Sequence, residues 1–277
     1  MAIITLTTDY GRRDPYAAMV RGAILSQDAQ ATVIDISHDI DPFDIAQCAY
    51  VIASSYKSFP DGTIHIIGVD AERTDLQDHV AMKYDQHYFI CADNGVLSLL
   101  LRDLQPEELV TINIHQYISR NFPVLDIFVN VACLLARGGL LTTIGRARPG
   151  LKKLESLEPR VTDNRITGRV IYTDNYGNAI SNVSRQLIKD ALGSADLTIR
   201  VGPVTIKKIV ERYSGIVNWE QSEIDMVMYE GKAFAIYNAM DLIEIGVYRG
   251  NRITGVATTL LGLEVNTEFV IERTREY

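Results

Sequence analysis

Through its first half the chain alternates short strand-like runs with helix-like ones, and that pattern restricts the fold more than any other feature. Ile3 to Thr7 reads as a buried strand. Asp14 can cap, and Pro15 can begin, a helix with Tyr16, Met19, Val20, Ala23 and Ile24 on its apolar face. A strand over Ala31 to Ile36 follows, then a helix over Asp44 to Tyr56 with Ile45, Cys48, Ala49 and Ile52 at helical spacing. Ile64 to Val69 is a further strand ending at Asp70. Val80 to Tyr84 and Tyr88 to Cys91 look like a strand pair, Val96 to Leu101 like a short helix and Leu109 to Ile114 like a strand. Ile127 to Ala136 is apolar nearly all round, as a buried helix is. Such alternation predicts an α/β domain: a mainly parallel sheet with flanking helices.

The alternation stops near Arg146, where Pro149, Gly150, Lys152, Lys153, Glu155, Glu158 and Pro159 crowd together. We place a linker at 151–164, between a domain at 1–150 and a second at 165–277. The second domain is mostly strands: Arg165 to Thr173, Ala179 to Val183, Leu197 to Val201, Val204 to Ile209, Phe234 to Tyr237, Leu242 to Val247 and Phe269 to Arg273, with one helix at Arg185 to Leu192. That composition predicts a smaller sheet or β-barrel. The chain's 277 residues suffice for two ordinary domains.

A net charge of -8 with no Lys/Arg cluster argues against a nucleic-acid partner. No apolar run is long enough for a membrane helix, and no basic segment precedes an apolar one at the N-terminus, so the expectation is a cytoplasmic protein without a membrane partner. Cys48, Cys91 and Cys133 lie far apart among apolar neighbours, as buried reduced thiols do.

Three aspartates stand directly after expected strands: Asp9, Asp70 and Asp174. A carboxylate at a strand end of an α/β sheet can accept two hydrogen bonds from a ribose diol. Tyr10 and Gly11 follow Asp9, although an Asp/Gly turn explains that string equally. In Asp174-Asn175-Tyr176-Gly177-Asn178 an aromatic ring and an amide could stack on a base and bond its edge, while a ligand-free hairpin turn accounts for the same residues. Asp93-Asn94-Gly95 is likewise a good turn. Neither G-x-G-x-x-G after a strand nor G-x-x-x-x-G-K-[ST] occurs, which disfavours nicotinamide dinucleotides and triphosphates. His38-Asp39-Ile40-Asp41 matches no strong metal spacing, and a turn explains it; no metal is expected. His65 reads as a packed strand residue, His87 and His115 as surface residues, and His79 as part of the loop after Asp70.

In order and spacing these segments resemble the S-adenosylmethionine (SAM) hydroxide adenosyltransferase family, which also contains fluorinating and chlorinating enzymes. The resemblance runs through Ile4 to Gly11, Ile34 to Ile40, Pro42 to Ile45, Phe59 to Thr63, Val69-Asp70 and Ala92 to Ser98. It returns at Asp174 to Asn182 and, more weakly, at Tyr237-Asn238 and Leu242 to Ile245. It implies an α/β N-terminal domain, a C-terminal β-barrel and a homotrimer with sites between subunits. It also implies SAM as substrate, with no cofactor beyond it. On this resemblance Asp9 holds the ribose, Phe43 lines an aromatic pocket, and Asp174, Tyr176 and Asn178 hold the adenosine and methionine portions. Tyr10, Asn94, Asn238 and Glu244 are further candidate substrate-binding residues.

The hydroxide-using members share an Asp, Arg and His set, of which only the aspartate, at Asp70, is kept. Gln77 stands where the arginine belongs, Pro123 where the histidine does, Ala71-Glu72-Arg73-Thr74 replaces the usual Pro-Gly-Val-Gly, and Ala239 replaces a serine. Arg73, Gln77 and His79 are therefore the candidates to assist Asp70. Three activities fit: hydrolysis of SAM to adenosine and methionine, nucleoside binding without turnover, and adenosyl transfer to a halide or other anion, which needs no general base.

Overall fold

Described residues are 2–102, 104–114, 122–155, 158–193, 196–220 and 226–274 of a computed structural model, and two compact units divide the chain, Met1–Ser156 and Leu157–Tyr277. The first unit contains, in order, β1 (Ile3–Thr8), α1 (Tyr16–Gln27), β2 (Thr32–Ser37), α2 (Ile45–Ser55), β3 (Ile64–Gly68), β4 (His79–Tyr84), β5 (His87–Ala92), α3 (Val96–Leu101), β6 (Glu108–Ile112), α4 (Val129–Ala136), α5 (Leu141–Ile144) and β7 (Gly145–Ala147). Its strands form one seven-stranded sheet in the order β2-β1-β3-β5-β4-β6-β7. Neighbours from β2 to β5 are parallel, whereas β4, β6 and β7 are antiparallel to their neighbours. The sheet is thus mixed. Its antiparallel portion begins at the two-residue turn Asp85-Gln86, where both residues have positive φ (50° and 63°), the backbone that folds consecutive strands back on each other.

Alternating side chains put the two cores on opposite faces. Ile4, Leu6, Ile64, Ile66 and Ile90 pack with α1 and α4, while Ile67, Val69, Met82, Phe89 and Cys91 pack with α2 and α3. Truncating one such residue, Ile66→Ala, costs about 2–5 kcal/mol. The chain leaves β1 for β2 on one side, then returns to place β3 on the other. That reversal opens a crevice at the C-terminal ends of β1 and β3.

Several expectations need correction. Helix α1 buries Ala17, Val20 and Ile24, leaving Tyr16 and Met19 exposed, because its core-facing stripe is rotated about one residue from the expected face. Asp14 does not cap it; Pro15 occupies the N-cap position with helical dihedrals. Asp44 does cap α2, accepting from Gln47 N at 2.8 Å. The buried helix near Ile127 begins as a π-helical turn, Val124–Phe128, headed by Pro123, where a missing N–H breaks no helical bond. The strand expected to reach Ile114 ends at Ile112. His87 is not a surface residue: it is buried, its Nδ1 lying 3.1 Å from His65 Nε2, because β5 enters beneath the Tyr56 ring. His115 lies outside the described residues.

The second unit contains β8 (Arg160–Thr162), β9 (Arg165–Thr173), β10 (Ala179–Ser184), α6 (Arg185–Leu192), β11 (Leu197–Val201), β12 (Val204–Ile206), β13 (Ile209–Val210), β14 (Ala233–Tyr237), β15 (Leu242–Val247), α7 (Ala257–Leu260) and β16 (Glu268–Arg273). The nine-stranded sheet follows β12-β11-β16-β9-β10-β15-β14-β13, with β8 on β9. Its far ends approach, β12 lying beside β14, so the sheet curls into a nearly closed barrel around Ile166, Val183, Ile199, Ile243, Ile245 and Phe269. The run expected as one strand over Val204 to Ile209 is two: β12 pairs with β11 and β13 with β14.

Parts of the expected linker are tied down. Lys152 N donates to Asp93 Oδ1 at 2.9 Å and Leu154 N to Ser98 Oγ at 3.0 Å, while β8 pairs with β9. No helix among the described residues is long and apolar enough to cross a membrane.

Candidate active site

Strand β1 ends at Thr8, which pairs with Gly68 at the end of β3. Asp9 follows, and its Oδ2 accepts the Phe43 backbone N–H at 3.1 Å. Phe43 has a φ of 64°, a conformation that costs a non-glycine residue energy, and the residue is 71% exposed. One carboxylate oxygen is thus tied to the backbone beside an exposed aromatic face. Tyr10 packs edge-on against Tyr16 and Phe122, with ring centroids 5.9 and 5.5 Å away. Burial, and then the Asp9 charge, push its hydroxyl above the ordinary range. A Cβ at Gly68 would stand 2.9 Å from Val124 Cγ2 and 3.1 Å from the Tyr10 hydroxyl, so glycine lets Tyr10 lie across the end of β3.

Asp70 stands one residue beyond Val69 with a φ of 43°. Its carbonyl accepts from Gln77 Nε2 at 2.9 Å and Asn94 Nδ2 at 3.4 Å. Asn94 is buried; it also donates to Val69 O at 2.9 Å and accepts from Val96 N at 3.1 Å. Its amide therefore braces the Asp70 turn with all of these bonds going to backbone. Gln77 gives a second bond to Glu72 O at 2.8 Å and is bridged through its backbone to Thr74. The loop after Asp70 is thus a small hairpin held from inside by an amide. Arg73, 4.0 Å from Asp78, lines a cleft of about 370 Å³ with Thr74, Asp75 and Asp78.

His79 does not belong to that loop. It is the first residue of β4, paired with Ala92, fully buried, with Nε2 2.9 Å from Ala71 O and its ring edge-on to Phe128 at 4.9 Å. Pairing in the sheet, not loop geometry, fixes it. Among the described residues no group of three His, Cys, Asp or Glu could hold a metal ion.

The second unit builds a different cluster. Asp174 Oδ1 accepts from Tyr176 N at 2.9 Å and Asn178 N at 2.8 Å, and Gly177 takes the positive φ of 76° that closes the turn. Asn178 Nδ2 donates to Asp174 Oδ2 at 3.2 Å and to buried Glu244 Oε1 at 2.9 Å. Both amide hydrogens therefore go to carboxylates, and Oδ1 faces Gly246, where a Cβ would stand 2.5 Å from it. Burial raises the Glu244 pKa, against the lowering effect of its bond from Tyr213; the Asp174 charge raises it further. Tyr213 donates to the same oxygen at 3.1 Å and is pushed up to about 12, chiefly by burial. Tyr176 is 76% exposed. Asn238 caps the β14–β15 hairpin, accepting from Met240 N at 2.9 Å and Leu242 N at 3.1 Å.

Tyr213 was not singled out by the sequence, and His38 was read there only as part of a turn. Tyr213 opens a short 3-10 helix, Tyr213–Ile216, far in sequence from Glu244, and nothing local marks it. His38 is buried at 2% exposure, with Nδ1 2.7 Å from Thr8 Oγ1 and Nε2 3.1 Å from Asp35 Oδ1. It directly follows β2 just as Asp9 directly follows β1, and that shared placement was the available signal.

Residues 4–145 match the SAM hydroxide adenosyltransferase N-terminal domain and residues 168–270 its C-terminal domain. The chain belongs to the SAM hydroxide adenosyltransferase family. Relatives of this family member include the (R)-S-adenosyl-L-methionine hydrolase of Methanocaldococcus jannaschii, 29% identical over 66% of this chain and 67% of that one. The fluorinase of Nocardia brasiliensis is 24% identical over 66% and 71%. Among solved structures, an uncharacterized conserved protein from Thermotoga maritima superposes with a TM-score of 0.83 at 24% identity, covering 98% of this chain and 100% of the other, which shows the fold.

Proposed function

We propose that this family member hydrolyses SAM to adenosine and methionine. The observation that carries the reading is the pair of carboxylates, Asp9 and Asp70, standing after adjacent strands β1 and β3 at the point where the sheet reverses, within a chain whose relatives are named SAM hydrolases. Asp9 accepts the ribose hydroxyls with the oxygen capacity its bond to Phe43 leaves. Asp70 orients a water against C5′. The water oxygen forms a bond to C5′, the C5′–S bond breaks with its electron pair going to sulfur, and the water proton passes to Asp70 and then to solvent. Because the leaving group is a neutral thioether, alignment and a dry pocket do most of the work. Exposed Phe43 and Tyr176 supply aromatic faces, the second of them carried on the turn that Asp174 and Asn178 fix, and no cofactor beyond the substrate is required.

The proposal includes a homotrimer in which the strand ends of one subunit meet the Asp174 to Asn178 turn of another; sedimentation at working concentration tests it, and a monomer that turns over would remove it. Liquid chromatography of SAM incubated with the protein should show adenosine and methionine in equal amounts, lost in Asp70→Asn. A second reading, binding without turnover, is favoured by one observation: Gln77, at the arginine position, spends its amide on the carbonyls of Asp70 and Glu72. Calorimetric binding of adenosine with no product would select that reading.

A further inference from the structure

The residues between Thr8 and Gly11 carry the carboxylate that the proposed function assigns to ribose, and they are held from both sides by His38. Its ring Nδ1 lies 2.7 Å from Thr8 Oγ1, and its carbonyl accepts the Gly11 N–H at 2.7 Å. Thr8 Oγ1 in turn accepts the Tyr10 N–H at 3.3 Å. Asp9 therefore lies in a loop in which the Tyr10 and Gly11 N–H groups both trace back to this one histidine. The far edge of the ring faces Asp35, whose carboxylate is gripped by Arg21 through Nε at 3.0 Å and through Nη2. The Nε2 contact with Asp35 is 3.1 Å, yet it lacks hydrogen-bond geometry, so it acts through charge and fixes the tautomer more than it bears load.

We infer that His38 is a positioning residue for Asp9, holding the β1 end through Thr8 in the geometry that receives a ribose diol. With the Asp35 carboxylate opposite Nε2, the ring proton resides on Nε2 and Nδ1 accepts from the Thr8 hydroxyl. In that arrangement the Thr8 hydroxyl donates its one hydrogen to the ring while its oxygen accepts the Tyr10 N–H. The chain Arg21, Asp35, His38, Thr8 thus sets a backbone shape and touches no substrate itself. This inference rests on the reading of Asp9 as the ribose carboxylate, but its physical content concerns the unliganded loop as well.

The two ring nitrogens can be tested separately. An asparagine amide reproduces the Nδ1 edge and a glutamine amide the Nε2 edge, so His38→Asn keeps the bond to Thr8 and His38→Gln keeps only the contact with Asp35. Adenosine affinity by calorimetry should fall about tenfold in His38→Ala and His38→Gln, as expected for one lost buried hydrogen bond, and stay within about threefold of wild type in His38→Asn. Amide hydrogen exchange of the peptide spanning Asp9 to Gly11, measured without ligand, should quicken in the first two and not in the third. Thr8→Val, which keeps the packing, should reproduce His38→Ala and serves if that variant does not fold. Equal affinity in His38→Ala and wild type, or an equal loss in all three His38 variants, overturns the inference while leaving the proposed function standing. A wild-type protein that binds neither adenosine nor SAM overturns both.

Discussion

The strand ends of the first unit and the turn cluster of the second carry the same residue type and use it differently. Asp9 is tied to one backbone N–H, and Asp70 presents its side chain from a left-handed backbone position while its carbonyl is what the loop holds. In the second unit the carboxylates of Asp174 and Glu244 close on Asn178, and Tyr213 completes the shell. The first arrangement leaves acceptor capacity for a ligand; the second uses its acceptors to fix one amide. A carboxylate free to take new hydrogen bonds can do chemistry, whereas one bonded internally can only shape the surface beside it.

That contrast predicts where substitutions act. Asp70→Asn should lower kcat by about 10²–10⁴-fold, the span of general-base contributions, with Tm within a few degrees of wild type; a variant that hydrolyses SAM at the wild-type rate would place the base elsewhere. Asp9→Ala should weaken adenosine binding by about 1.5–3 kcal/mol, the value of a hydrogen bond to a charged group, again with little change in Tm, as calorimetry and thermal melts together can check. Asn178→Ala should behave oppositely, costing about 1–3 kcal/mol of folding stability by leaving Glu244 buried without its amide partner. Equal thermal stability of Asn178→Ala and wild type would erase the distinction between the two regions.

The regions also titrate in opposite senses. Burial and then His87 lower the His65 pKa to about 3, so its contribution to stability is present above its unfolded value of about 6.5 and lost as pH falls toward 3. Glu244 is raised, so its contribution is present below its unfolded value of about 4.3 and lost as pH rises through the folded one. Melts from pH 4 to 7 should show a shallower acid loss in His65→Phe than in wild type, on the order of 5 °C, and a smaller gain on acidification in Glu244→Gln. Coincident profiles for wild type and both variants would contradict the assignment. The smallest effect is expected at Tyr176→Ala: stability within about 0.5 kcal/mol and an affinity loss of about 0.5–1.5 kcal/mol from the missing aromatic face.

How far the sequence carried depends on how local each signal is. The helix beginning near Asp44 and the strand before Asp9 were legible because apolar spacing and a buried run are decided within a few residues. Asn94 and Gln77 were not legible as braces, since their partners, the carbonyls of Val69, Asp70 and Glu72, are unremarkable in any sequence. His79 and His87 were misplaced for a related reason: burial of a histidine depends on a strand partner and on the Tyr56 or Phe128 ring above it. The face of α1 was missed by about one residue because Tyr16 and Met19 are apolar without being inside, and the run Val204 to Ile209 hid a break at Lys207-Lys208 that separates two differently paired strands.

The central claim, water attack at the ribose C5′ directed by the β1 and β3 strand ends, is tested most directly by turnover of SAM in ¹⁸O-enriched water with mass spectrometry of the products. The account predicts adenosine carrying the heavy oxygen on its 5′ hydroxyl, unlabelled methionine in equal amount, and neither product from Asp70→Asn. Unchanged SAM in the presence of bound protein, or adenosine without the label, would contradict it.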